Sequence, residues 1–165
     1  MLIRHATEAD LAAIVAIYNQ AIPGRLATAD TEAITIESRR TWFTTHQPDR
    51  YPLWLATTAE HQPSGWLSLQ AFYGRPAYRA TAEVSLYVAT DQQRQGVGHA
   101  LLTHAIAQSP ALGLRTLLAF IFAHNTASLR LFEQFQFLER GYLPQVAELD
   151  GQERDLMILA RRLQF

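Results

Sequence analysis

The 165-residue chain contains no cysteine. That excludes disulfides, thiolate-bound zinc and a cysteine nucleophile. Neither charge is in excess: 14 basic residues face 15 acidic ones, for a net charge of −1, and no basic block stands out. The electrostatic footprint of a nucleic-acid partner is therefore missing. No apolar run approaches the length of a membrane span. The opening MLIRHATEAD has no signal-like apolar segment. A cytoplasmic protein with neither a nucleic-acid nor a membrane partner is the expectation. Repeats, low-complexity tracts and linkers are also missing, so residues 1–165 read as one domain. Of the six histidines, none sits in an HExxH pair, and His99 and His104 are five apart, a poor spacing for shared ligation on a helix. No metal site is expected.

What is present is an apolar fraction of 48% with 18% charged residues, enough for a globular domain with a sizeable core. Residues 2–5 read as a strand, and Thr7 with Asp10 as a weak capping box. Leu11, Ile14, Val15 and Tyr18 then fall on one helical face, until Pro23-Gly24 stops it. A second helix is expected over about 36–46, carrying Trp42 and Phe43. The period then changes from 3.6 to 2. Residues 51–58 and 66–72 read as antiparallel strands around a turn at 61–65, and ATAEVSLYVA (80–89) alternates as a central strand. Ala100, Leu101, Leu102, Ala105 and Ile106 mark a third helix. The dense apolar run 114–122 reads as a strand buried on both faces. A fourth helix over 125–135 and strands near 138–143 and 154–160 complete the chain. The order β-α-α-β-β-β-α-β-α-β-β is that of a mixed α/β domain.

Between the central strand and the third helix lies QQRQGVGH, with Gly96 and Gly98 one residue apart. Two glycines at a helix start cost stability. One explanation is a tight strand-to-helix turn. The other is an anion site, because bare backbone N–H groups at a helix N-terminus favour negative charge by roughly 0.3–1 kcal/mol before hydrogen bonds. The Walker pattern is absent, and Leu101 breaks the dinucleotide fingerprint. The glycines alone leave both explanations open.

Gln93-x-x-Gly96-x-Gly98 resembles the acyl-CoA signature of the GNAT superfamily of N-acetyltransferases, with EVSLYV (83–88) before it and Asn125 heading the next helix. Within that superfamily the chain is most similar to the phosphinothricin and methionine sulfoximine acetyltransferases. The similarity is carried by Tyr18-Asn19-Gln20-Ala21, Trp42-Phe43, the block YRATAEVSLYV (78–88), Leu143-Pro144-Gln145-Val146 and Asp155-Leu156. The resemblance implies a mixed, mostly antiparallel sheet of about six or seven strands with about four helices, splayed at an acetyl-CoA site. It implies acetyl transfer from acetyl-CoA, as cosubstrate, to the amine of a small molecule such as an amino acid or an analogue. The alternatives are a protein N-terminal or lysine acetyltransferase, and a non-catalytic CoA-binding module. It also admits a homodimer.

The resemblance further implies roles for single residues. Leu86, Tyr87 and Val88 would offer backbone groups to the pantetheine arm. Arg94, Gln95, Gly96, Val97, Gly98 and His99 would cradle the pyrophosphate, and Asn125 would hold the pantetheine or the thioester. Glu83 is the candidate general base, since the attacking amine must lose a proton and a partly buried carboxylate is suited to take it. By alternation Glu83, Ser85 and Tyr87 share one face of their strand. Tyr73, Gly74, Arg75 and Arg79, with Glu83, form the expected acceptor site, the arginines pairing with a carboxylate. Two departures stand out. Phe132 occupies the position where the family has a proton-donating Tyr or His, so either water protonates the thiolate, Tyr87 or another group substitutes, or activity is low. Gln136 replaces a glycine, which implies a different local turn.

Overall fold

The structure is a computed structural model that describes residues 1–164. Among these residues seven strands form one open sheet in the order β1-β2-β3-β4-β5-β7-β6. They are β1 (Leu2–His5), β2 (Leu53–Thr57), β3 (Pro63–Ala71), β4 (Thr81–Val88), β5 (Thr116–Phe122), β6 (Leu138–Leu149) and β7 (Gln152–Arg162). Every neighbouring pair is antiparallel except β4 and β5. Helices α1 (Leu11–Ala21) and α2 (Ile36–Thr44) lie on one face, and α3 (Val97–Gln108) and α4 (Thr126–Gln134) on the other. The mixed, mostly antiparallel sheet with four α-helices is the fold that the family resemblance implies.

Two cores hold the layers. Leu101, Leu102 and Ala105 of α3 and Phe132 of α4 pack on Leu67, Val84, Leu117 and Ala119 of the sheet. On the opposite face Ile14, Ile17 and Tyr18 of α1 cover Leu53, Leu55 and Trp66. The Trp66 indole also donates to the carbonyl of Ile14 (3.0 Å), fixing the height of α1 over β3. A buried indole N–H needs such a partner.

Three elements differ from the sequence reading. Residues 63–65 belong to β3 instead of a turn. Gly65 is there for close approach: a Cβ on it would lie 2.9 Å from the Tyr87 carbonyl and 2.9 Å from Val97 Cγ1. β5 is not buried on both faces. Leu117, Ala119 and Ile121 are buried on one face; on the other Phe122 is buried but Leu118 and Phe120 are only half-buried, where the strand borders the cleft and α1 packs instead over β3 and β4. The last two strands are longer than expected. They meet at Asp150-Gly151, both with positive φ (52° and 75°), as the tight two-residue hairpin turn favours.

Gly65→Ala is predicted to destabilise the fold by about 1–3 kcal/mol, the usual cost of forcing extra atoms into a packed site. Denaturant unfolding checks this; an unchanged midpoint would show that β3 does not set the seat of α3.

Candidate active site

β4 and β5 pair only at Thr81–Thr116, Ala82–Leu117 and Glu83–Leu118. Beyond Glu83 they part, although β4 stays paired to β3 through Val88 and β5 to β7 through Phe122. The backbone edges that a closed sheet would join therefore face a cleft of about 390 Å³. Residues 83–87 form one wall and 119–122 the other; Asn125, Ser128 and Phe132 of the α4 segment lie beneath. Open strand edges supply N–H donors and C=O acceptors in register, which suits an extended ligand rich in amides.

Part of the loop between α1 and α2 closes over the gap. Three successive carbonyls of that loop are held by side chains from both sides of the split. Tyr87 on β4 donates its hydroxyl to Ala27 (3.1 Å). Beyond β5, His124 Nε2 meets the Arg25 carbonyl at 2.7 Å and Asn125 Nδ2 donates to that of Leu26 at 3.2 Å. Because its partner is a carbonyl, His124 carries its proton on Nε2. Asn125 also accepts the Ser128 N–H through its Oδ1 (3.2 Å), capping α4. The Asn125 amide, expected to touch the donor directly, is thus engaged in positioning the loop and the helix. Only the fold brings His124 to the Arg25 carbonyl, 99 residues away in the chain.

Glu83 sits where the strands begin to part and lines the cleft. Burial raises its pKa above the ordinary carboxylate value, and no charged neighbour contributes. Its cross-strand neighbour Gln70 and its same-face neighbour Ser85 line a second, smaller cavity of about 120 Å³. Ser85 and Tyr87 border both cavities, so the smaller one lies beside the carboxylate. Its walls are aromatic. Trp66 packs on Tyr87 and on Trp42 with ring centroids 4.7 and 5.6 Å apart, and Tyr18 on Tyr87 at 4.9 Å. Burial, and secondarily Tyr18, pushes the Tyr87 hydroxyl far up. With its proton given to Ala27, Tyr87 is poorly placed to replace the acid that Phe132 lacks. Phe132 itself is buried against Phe137, edge to face at 5.0 Å.

The glycine loop stands at the C-terminal end of β4. Gly96 is the N-cap of α3, with φ +81°, and a Cβ there would meet nothing within 4 Å. Where Thr35 and Asn125 cap α2 and α4, no side chain caps α3. The N–H groups from Gln93 to His99 reach no backbone carbonyl among the described residues. Arg94 is also left-handed (φ 61°), and successive turns of this kind make an anion-binding concavity. Gly98 answers a different need. A Cβ on it would lie 3.0 Å from Leu131 Cδ2, so it admits α4 against α3. Val97 is buried as the anchor, Gln95 binds the Asp91 carbonyl (2.9 Å) and His99 packs on Phe135 (4.7 Å).

The expected acceptor loop is placed elsewhere. Tyr73, Gly74, Arg75 and Arg79 are all exposed, and none lines either cavity. Tyr73 and Gly74 turn with positive φ, and Phe72, Tyr73 and Tyr78 pack together at the surface. The Arg79 carbonyl accepts from Arg50. Gln136, the second departure, takes φ 60° at the end of α4, the conformation a glycine would provide. Among the described residues no cluster of His, Asp and Glu could hold a metal, and no helix is long and apolar enough to cross a membrane.

A half-open pair of parallel strands, a carboxylate at the fork and an uncapped, glycine-led helix at the mouth suit an extended, anionic acyl-CoA donor and an amine acceptor. The comparisons agree: the chain belongs to the Acetyltransferase (GNAT) family, whose profile matches residues 12–137. It is 48% identical to YwnH of Bacillus subtilis, provisionally named a phosphinothricin acetyltransferase, over 99% of both chains. It is 34% identical to the L-methionine sulfoximine/L-methionine sulfone acetyltransferase of Pseudomonas aeruginosa, over 98% of this chain and 94% of that one. Among solved structures, the phosphinothricin acetyltransferase of Sinorhizobium meliloti in complex with AcCoA superposes with a TM-score of 0.92 at 27% identity, over 98% of this chain and 88% of that one. The protein is an acetyltransferase, and acetyl-CoA is its cosubstrate.

Glu83→Gln is predicted to lower turnover by roughly 10²-fold or more while leaving acetyl-CoA affinity nearly unchanged. A base must be ionised to act, so with a raised pKa the wild-type rate should fall, on acidification, at a pH above the ordinary carboxylate range of about 4.3. That limb should vanish from the variant's residual activity. A pH–rate profile checks both, and an unaltered rate and limb would remove Glu83 as the base.

Proposed function

We propose that this enzyme acetylates the primary amine of a small amino acid or amino-acid analogue, of the phosphinothricin or methionine sulfoximine kind. The carrying observation is that β4 and β5 part directly after Glu83, so one cleft holds both the exposed strand edges and the carboxylate. Leu86, Tyr87 and Val88 offer backbone groups to the pantetheine arm, and Arg94 to His99 receive the pyrophosphate at the uncapped start of α3. Most of the rate enhancement comes from positioning the two substrates and from dipoles fixed around the thioester carbonyl.

Glu83 takes one proton from the substrate ammonium, directly or through water. The free amine attacks the thioester carbonyl, the C–N bond forms, the C–S bond breaks, CoA leaves as thiolate, and the nitrogen's second proton passes to solvent. Phe132 has no proton to give, so solvent protonates the thiolate. A thiolate is a stable leaving group near neutral pH, so this step tolerates the missing acid. Transfer is direct, from the thioester to the amine within one ternary complex. A homodimer is supported by one surface feature: Leu138, Tyr142 and Leu143 of the edge strand β6 are all exposed.

Thiol release from acetyl-CoA across an amine panel tests the acceptor class. Turnover is expected with methionine sulfoximine or phosphinothricin. Turnover confined to peptide N-termini or lysine side chains, or tight acetyl-CoA binding with no turnover on any amine, would contradict the proposal.

A further inference from the structure

The smaller cavity beside Glu83 contains a single charged side chain, Arg39 of α2. Its guanidinium carbon lies 5.1 Å from the Tyr18 ring centre and 5.7 Å from that of Trp42. Packing on two rings holds the planar group in place, leaving less entropy to lose when it binds. Among the described residues it makes one hydrogen bond, from Nη2 to Asp30 Oδ2 (3.1 Å). Asp30 also accepts the Tyr18 hydroxyl, and Tyr18 in turn is bonded to Thr28. Arg39 is therefore oriented from behind by a carboxylate, while Nε and Nη1 keep donors available for another.

The remaining lining is uncharged: Ile14, Val15, Ile34, Gln70, Ser85 and the aromatic rings already described. A cavity of about 120 Å³ is smaller than the roughly 150 Å³ that accommodates benzene. It admits a carboxylate-sized head and a short stem. Gln70 and Ser85 lie next to Glu83 on the same face of the sheet, so the cavity that holds this arginine adjoins the base. The two arginines of the loop after β3 line neither cavity.

We infer that Arg39, and not Arg75 or Arg79, binds the acceptor's anionic group, so that the enzyme selects small anionic amines. This rests on the amino-acid acceptor proposed above.

The test is the ratio of kcat/KM for an amino-acid acceptor, methionine sulfoximine, to that for its uncharged carboxamide. It is compared in wild type, Arg39→Gln, Arg39→Lys and the double variant Arg75→Gln/Arg79→Gln. Comparing ratios cancels the difference in amine basicity between the two acceptors. Wild type should prefer the acid. Arg39→Gln should lower that ratio roughly ten- to a hundredfold, as expected for losing hydrogen bonds to a charged group. Arg39→Lys should lower it less, and the loop variant should retain it. Acetyl-CoA affinity should be unchanged in each, which verifies folding; if Arg39→Gln does not fold, the lysine variant carries the comparison. An intact ratio in the Arg39 variants with a collapsed ratio in the loop variant would overturn the inference and leave the amino-acid acceptor standing. A wild type that favours the carboxamide equally would also overturn it, again without touching the transferase. Turnover of other amines but of neither form of methionine sulfoximine would remove the amino-acid acceptor itself, and Arg39's role with it.

Discussion

The site depends on the parting of β4 from β5 immediately after the Glu83–Leu118 pair. Each strand remains fully paired on its far side, so the gap adds no loose element to the sheet. It leaves backbone donors and acceptors facing a cleft whose walls are rigid because the neighbouring strands hold them. An exposed strand edge is normally a liability. Here it is confined to one slot, lined beneath by α4 and closed above by the loop between α1 and α2.

That loop is held across the slot by Tyr87 on one wall and by His124 and Asn125 beyond the other. Each bond contributes about 0.5–1.5 kcal/mol net. Together they fix the width of the fork and the position of residues 26–29, which line the cleft. The same loop carries Asp30, which orients Arg39, so the donor slot and the acceptor pocket share one support. The edge strand β6 makes a comparable adjustment. Its register shifts between Leu143 and Ala147, where Asp155 accepts the Gln145 N–H (2.8 Å) and the Tyr142 hydroxyl, and the shifted segment brings Val146 to the cleft.

Much of this was legible in the sequence where a local rule decides the outcome. Alternation placed Glu83, Ser85 and Tyr87 on one face of β4, and the helical spacing of Leu11, Ile14, Val15 and Tyr18 placed the buried face of α1. The glycine pair was visible, but its two members do different jobs. Gly96 makes a left-handed turn into open space, whereas Gly98 yields to Leu131. Only a contact distant in sequence separates the two. Gly65 was misread for the same reason, since the atoms that demand it belong to Tyr87 and Val97. Arg39 and Asp30 carry no local signal at all. Their meaning comes from α1, α2 and β3 converging on one cavity, while the visible arginines, Arg75 and Arg79, stand on an exposed loop.

The central claim is that acetyl-CoA occupies the fork between β4 and β5 along the free strand edges. Amide hydrogen exchange of the full chain, with and without saturating acetyl-CoA, tests it most directly. The account predicts slowed exchange in residues 84–88 of β4 and in residues 93–99 ahead of and at the start of α3, with β1 and β2 unchanged. Bound acetyl-CoA with no added protection in those two segments would contradict it.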